Sequence, residues 1–230
     1  MDDAYYMVTV HVAAAQMQDE IKVQILNGDE ATEVKTYTVE GYAKTVLANA
    51  EMSQYHQVVK DMLNYGAAAQ VYFQYNHEGT LPNADITGFG DEAIPTEAVT
   101  EQIAAGTVDG IRFYGASLVY RERIAVRLYF VLVSGNIEDY VFKSGDITLT
   151  PVCKDAESGL YYVEFANILP NELDTAVNCS VSKADQSLQV QYAPLDYIIR
   201  MNSKETSSAE LTNLLKALYN YHLTAKGLNP

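Results

Sequence analysis

The strongest constraint on the fold of this chain is an internal repeat. Residues 5–70 align with residues 161–226, and the predicted strands and helices occur in the same order in both stretches. Within a long helix of each stretch the alignment keeps one dipeptide, which is Asn64-Tyr65 in the first and Asn220-Tyr221 in the second. Self-similarity of this extent predicts two diverged copies of one module.

Strands precede helices in both copies. Alternating apolar and β-branched residues predict strands, and a 3.6-residue apolar period predicts helices. The first copy predicts strands at 4–12, 20–27 and 33–38, then helices at 40–50 and 53–75, the second of them capped by Ser53. The second copy predicts strands at 111–120, 124–133, 141–142, 146–153, 160–168, 177–183 and 188–192, then helices at 194–201 and from Ser207 or Ser208 to 226. We therefore expect an α+β fold of two diverged repeats, each an antiparallel β-sheet or sandwich followed by a short and a long helix.

The domain organisation follows from the repeat. We expect a first module at 1–76 and a second at 107–230, joined by a Gly-, Pro- and Asp-rich linker at 77–106 with a short helix from Pro95 to Ala104. Residues 107–159 add strands that have no counterpart before residue 5. Either the first copy is shorter or its leading strands are missing.

Composition narrows the choice of partners. The chain carries 30 acidic and 15 basic residues, for a formal net charge of -15. Because phosphates would be repelled, this charge argues against nucleic acid and anionic membranes as partners. No apolar run reaches the length of a membrane-spanning helix, so we expect no membrane insertion. The 18 tyrosines are typical both of half-buried strands and of recognition surfaces. The absence of tryptophan counts slightly against a sugar-stacking surface, although tyrosine can take that role.

Motifs for catalysis or metal binding are not evident. The four histidines lack metal-ligand spacing, and no nucleophile elbow or phosphate-binding loop occurs. We therefore expect no cofactor, no metal and no catalytic residues, with a carboxylate-dependent glycoside hydrolase as a remote alternative. Cys153 and Cys179 form either a disulfide or two buried thiols.

We expect a ligand surface where the copies are not symmetric, among exposed Tyr and Asp residues in the linker at 77–106 and on the strands at 111–133. Arg121, Arg123 and Arg127 form the densest basic cluster of the chain, and Arg127 lies within an apolar strand. Its charge is explained either by an ion pair with a neighbouring carboxylate or by an anion-binding role. The residues proposed to bind a ligand are Tyr114, Tyr120, Arg123 and Tyr129.

The shared dipeptide predicts a packing joint rather than a ligand site. Asn64, Tyr65, Asn220 and Tyr221 have different neighbours in the two copies, yet small residues follow both pairs. Small residues allow a helix to approach another element closely. Because buried polar groups need partners, we expect both asparagines to be largely buried and bonded to backbone within their own module.

Four segments resemble recurring modules of large secreted or cell-surface proteins of gut Firmicutes. They are MLNYGAAAQVYFQYN (62–76), GASLVYRERIAVRLYF (115–130), YAPLDYI (192–198) and ALYNY (217–221). The resemblance implies an extracellular or cell-surface location and neighbouring domains in a larger chain, and it assigns no site residues. The start of the chain, MDDAYYMV, lacks the features of a signal peptide.

The function we expect is therefore a non-enzymatic binding or adhesion module that recognises a glycan or a host protein, with a glycan or a host glycoprotein as its partner. The alternative is a structural spacer or interaction module that has no ligand of its own.

Overall fold

The computed structural model describes residues 7–76, 87–120 and 123–228. It is a mixed α/β structure of antiparallel sheets and four helices, consistent with the α+β prediction. The two-repeat architecture remains a prediction. No helix in the described ranges is both long and apolar enough to span a membrane.

The N-terminal part is mostly helical, with a small β-ribbon. Residues 7–13 form no strand and pair with no strand of the described chain. The strand predicted at 4–12 is therefore wrong over residues 7–12, the part of it that the structure describes. The predicted Ser53 cap is also wrong, because Ser53 lies inside a 3-10 helix that Asn49 caps instead. The elements are a 3-10 helix at Ala14–Gln16, β1 (Ile21–Val23), β2 (Leu26–Asn27), β3 (Glu30–Ala31), β4 (Lys35–Tyr37), α1 (Val39–Ala48), a 3-10 helix at Ala50–Tyr55 and α2 (His56–Phe73).

Two larger antiparallel sheets pack face to face in the C-terminal part. One has the strand order β10-β11-β7-β6 and the other β5-β13-β12-β8-β9. Phe130 and Phe142 meet between them at a ring-centre distance of 5.2 Å. The predicted strand at 146–153 is interrupted around Pro151, which has no N–H for pairing. The strands are β5 (Ala104–Thr107), β6 (Ile111–Val119), β7 (Ala125–Leu132), β8 (Val141–Ser144), β9 (Ile147–Leu149), β10 (Val152–Asp155), β11 (Leu160–Ala166), β12 (Val177–Lys183) and β13 (Gln186–Tyr192).

The last two helices close the core. Helix α3 (Pro194–Asn202) begins at a proline. Helix α4 (Ala209–Gly227) is capped by Ser208, whose hydroxyl accepts the Leu211 N–H. Of the two predicted caps, Ser207 and Ser208, the second is confirmed. Four leucines of α4 are buried in the same core as the inner faces of the two sheets, and they are Leu211, Leu214, Leu215 and Leu218. That core also contains Tyr65 of α2, so the first and second halves of the chain share it.

Helices α2 and α4, which carry the shared dipeptide, pack against each other. The rings of Tyr65 and Tyr221 stack with their centres 6.2 Å apart. Gly66 allows a further close approach on α2, because a Cβ there would lie 2.7 Å from the sulfur of Met17 and 3.0 Å from the carbonyl oxygen of Ala14. The absence of a Cβ at Gly66 therefore allows the N-terminal 3-10 helix to pack closely against α2.

A segment of the predicted linker is fixed along the helices. We call residues 88–103 the strap. Asp61 of α2 accepts the Gly90 N–H at 2.5 Å, and Asp196 of α3 accepts the Val99 N–H at 2.7 Å. Both carboxylates are buried. The helix predicted from Pro95 to Ala104 is wrong, because these side-chain bonds hold the backbone in an irregular path that ends in β5.

The predicted burial is confirmed for Asn220, but only part of its backbone bonding stays within its own module. Asn220 is 2% exposed; its Oδ1 accepts the Glu92 N–H at 2.8 Å, and its Nδ2 donates to the carbonyls of Glu92 and Lys216. Lys216 belongs to the same module, but Glu92 belongs to the strap. Asn64 is only half-buried. Asn220 thus anchors the strap to α4, while Tyr65 and Tyr221 connect α2 and α4.

The two cysteines are free thiols, so the disulfide alternative is wrong, and the burial expected for both thiols is found only for Cys179. Cys153 is exposed on β10, whereas Cys179 is buried on β12. Burial raises the pKa of the Cys179 thiol to about 12.

Candidate functional site

The outward face of the β10-β11-β7-β6 sheet carries most of the candidate residues. Side chains alternate between the two faces of a strand. On β7, Val126, Leu128 and Phe130 are buried in the core, so Arg127 and Tyr129 project from the opposite face. We call this outward surface, defined by Arg112, Tyr114, Arg127, Tyr129 and Tyr162, the tyrosine–arginine face.

Arg127 is at the centre of this face. Its Nε donates to Oε2 of Glu164 at 2.7 Å, and its guanidinium lies 4.6 Å from the centre of the Tyr162 ring. Burial alone would lower the pKa of Arg127, but the hydrogen bond to Glu164 and the neighbouring tyrosines hold that pKa above its ordinary value. The predicted ion pair is confirmed, and the guanidinium is a permanent cation on the sheet.

Two tyrosines from neighbouring strands lie beside this cation. Tyr129 on β7 and Tyr162 on β11 are paired in register, and their ring centres are 5.8 Å apart. The hydroxyl of Ser117 donates to the Tyr129 hydroxyl at 3.3 Å. Both tyrosines are half-buried, so the pair presents part of its ring surface on the outward face of the sheet.

A β-bulge sets the position of a third tyrosine. The register of β6 against β7 shifts between Phe113 and Gly115, and bulges of this kind re-aim a side chain. Tyr114, within the bulge, is 63% exposed, and the guanidinium of Arg112 lies 6.0 Å from its ring centre. The face therefore extends along β6 beyond the central pair.

An open cavity lies at the β6 end of the face. Its volume is about 860 Å³. Two cations, Arg127 and Lys154, contribute to its lining, together with the hydroxyl of Ser117. The other lining residues are Tyr72, Phe73, Leu118, Val119 and Tyr120.

The predicted ligand-binding residues fall in different environments. Tyr114 and Tyr129 lie on the tyrosine–arginine face. Tyr120 is 9% exposed, and its hydroxyl donates to Tyr72 at 3.5 Å, so it supports the cavity wall rather than offering a free ring. Burial, together with that hydrogen bond, raises the pKa of Tyr120. Arg123 is exposed, donates to Asn167 at 3.3 Å and lies 3.8 Å from Glu164. Arg121 lies outside the described residues.

Several residues of the tyrosine–arginine face and of the adjoining cavity were not identified from the sequence. Tyr162 could have been found, because it alternates with the buried Val163 on a strand that the sequence predicts. Lys154 occupies a bulged position of β10, and Tyr72 comes from the end of α2. No local pattern connects these two elements to the sheet.

Two smaller cavities lie near the helices. One of about 470 Å³ is lined by parts of α2, α4 and the strap, and its lining includes the ion pair of Asp91 and Lys216. The other, about 330 Å³ and mostly apolar, includes Tyr65 and Tyr221 in its lining. Within the described ranges there is no group of three or more His, Cys, Asp or Glu side chains placed to hold a metal ion.

Comparison with known proteins identifies no relative. No protein-family model, no curated protein and no solved structure matches this chain. Because a fold does not by itself determine a function, the functional argument rests on the chemistry of the face.

Proposed function

We propose that this protein is a non-enzymatic binding or adhesion module of a bacterial extracellular or cell-surface protein, and that it recognises a glycan. The observation that carries the proposal is the pair Tyr129 and Tyr162, whose rings lie 5.8 Å apart on an outward sheet face beside the cationic Arg127. The host-glycoprotein alternative is included, because its glycans present the same chemistry.

The chemistry of the face suits a sugar. Sugar rings have apolar C–H faces that stack on tyrosine rings, and their hydroxyls bond to guanidinium and hydroxyl groups. The face offers both kinds of group within one sheet, from Tyr129, Tyr162, Arg127 and Ser117. These groups are on strands, which position a binding site more rigidly than loops do.

The shape of the site also supports an extended ligand. Tyr114 at the bulge, the central tyrosine pair and the open cavity at the end of β6 are parts of one sheet surface. A chain of sugar units could contact all three, and several weak contacts on one ligand add through effective concentration. The resemblance to secreted modules of gut bacteria agrees with this function.

The spacer or interaction alternative is favoured by a different observation. The ribbon formed by β1–β4 exposes Ile25, Leu26 and Tyr37, which are 67%, 69% and 52% accessible. Isolated two-stranded ribbons are marginally stable in water, and exposed apolar groups of this kind mark contacts with other proteins. A neighbouring domain of a larger chain would cover them.

A glycan array tests the proposed function. We expect the wild-type protein to bind at least one glycan class and the double variant Tyr129→Ala/Tyr162→Ala to lose about tenfold or more in affinity. The estimate takes about 1 kcal/mol or more for each ring, by analogy with base stacking on aromatic side chains.

Tyr42→Ala is the matched control, because Tyr42 is 70% exposed on α1, on another part of the surface. The control should bind as the wild type does. Absence of binding to every glycan would remove the proposed function and leave the interaction module as the remaining candidate. Equal losses in the control and the double variant would show that the face is not the site.

A further inference from the structure

The charge of the cavity is opposite to the charge of the chain. The whole chain has a formal net charge of -15. The cavity at the β6 end of the tyrosine–arginine face has two cations in its lining, Arg127 and Lys154, and among the described residues that line it there is no Asp or Glu. A local reversal of this kind favours a ligand of negative charge.

Nearby carboxylates do not cancel this positive charge. Glu164 is shared, with Arg127 at 2.7 Å and Arg123 at 3.8 Å. One carboxylate therefore faces two guanidinium groups, and the cluster has a net positive charge. Asp155, which follows Lys154 along β10, remains charged and accepts hydrogen bonds from the Ser158 hydroxyl and the Glu157 N–H in the adjoining turn. Three cations, Arg123, Arg127 and Lys154, therefore stand against the two carboxylates Glu164 and Asp155.

Arg127 keeps donors available for a ligand. A guanidinium has five N–H donors, and the bond to Glu164 uses the one on Nε. The Arg127 side chain is 30% exposed. Its planar fork matches the geometry of carboxylate and sulfate oxygens, whereas Lys154 can act as a point charge on the same group.

From these observations we propose that the glycan bound by the tyrosine–arginine face is acidic, carrying carboxylate or sulfate groups that Arg127 and Lys154 hold in the cavity. Its sugar rings stack on Tyr129 and Tyr162. This inference rests on the proposed glycan-binding function and specifies the ligand class of the same site. Nucleic acid is disfavoured, because the dense phosphates of a duplex would meet the strongly negative remainder of the protein.

The test is an array that carries neutral, sulfated and carboxylated forms of the same sugar backbones. We expect binding to the acidic forms and at least tenfold weaker binding to the neutral forms, with the difference decreasing as salt is raised. Whether sulfate or carboxylate is preferred follows from the two acidic arms. Equal binding of neutral and acidic forms would overturn this inference but keep the proposed function, whereas no binding at all would remove the proposed function itself.

Charge variants then assign the effect to the cavity. Lys154→Ala should weaken binding to the best acidic glycan about two- to fivefold, as expected for an exposed ion pair. Lys143→Ala, an exposed lysine on β8 of the other sheet, is the matched control and should have no effect. Glu164→Gln keeps the size of the side chain while freeing Arg127 from its partner, so it should strengthen binding to the acidic glycan.

Three results would overturn the inference. The first is an equal effect of the two lysine variants. The second is weaker binding of acidic glycans by Glu164→Gln, provided that this variant unfolds at the same temperature as the wild type. The third is binding of double-stranded DNA as tight as that of the best acidic glycan.

Discussion

At the scale of single residues, the hydroxyl of Tyr192 is an unusual feature of the core. Tyr192 ends β13 and is 3% exposed. Its hydroxyl is buried and makes no hydrogen bond to the part of the chain that the structure describes. A buried hydroxyl without a partner costs free energy on folding. Burial also raises the pKa of Tyr192 to about 12.

Tyr192→Phe should therefore stabilise the protein. Removing the unsatisfied hydroxyl while keeping the ring should raise the free energy of unfolding by about 1 kcal/mol at pH 7. Chemical denaturation of both proteins measures the difference, and Tyr42→Phe on the exposed face of α1 is the control. A loss of stability in Tyr192→Phe would mean that its hydroxyl has a bonding role.

The same residue predicts a dependence of stability on alkaline pH. Its pKa in the folded state, about 12, lies above the ordinary tyrosine value of 10.0. The unfolded state therefore loses its proton first, so this contribution to stability is fully present below pH 10 and decreases as the pH rises towards 12. The stability advantage of Tyr192→Phe should grow by roughly 1–2 kcal/mol over that range. A constant advantage would contradict the raised pKa.

At the scale of elements, the strap joins three helices through buried polar side chains. Asp61, Asp196 and Asn220 each bind its backbone. Because backbone groups buried without partners are costly, these side chains replace the hydrogen bonds that a strand or helix would have supplied. The strap is in this way part of the packed structure.

Asn220→Ala tests this role of the strap. The change leaves the N–H and carbonyl of Glu92 without the partner they share, and we expect a loss of about 2 kcal/mol in the free energy of unfolding. Asn213→Ala is the matched control, because Asn213 is exposed on the same helix. Thermal or chemical unfolding measures both. Similar small effects of the two variants would show that the strap bonds contribute little.

The elements that the sequence predicts well are those whose periodicity is set by the core. Strand β12 has the predicted bounds, 177–183, because its alternating residues meet buried partners on β13. The strand predicted at 4–12, over its described residues 7–12, and the helix predicted from Pro95 are wrong because these segments take their conformation from distant parts of the chain. The site was found in part for the same reason: Tyr129 follows the alternation of its strand, whereas Lys154 and Tyr72 come from elements that only the tertiary fold brings together.

At the scale of the whole molecule, charge and side-chain type distinguish different regions of the surface. The chain is strongly acidic, but the tyrosine–arginine face combines aromatic rings with cations on a rigid sheet. The exposed ribbon at β1–β4 offers apolar contact on another part of the surface. The proposed glycan binding and the alternative contact with a neighbouring domain would therefore use separate surfaces of the protein.

The most direct test of the central claim, that the tyrosine–arginine face is the binding site, is to map ligand contacts by NMR. The best glycan from the array is titrated into labelled protein, and the amide shifts are followed residue by residue. We predict the largest shifts on β6, β7 and β11, around Ser117, Arg127, Tyr129 and Tyr162. Shifts confined to the β5-β13-β12-β8-β9 sheet or to the helices, with this face unaffected, would contradict the account.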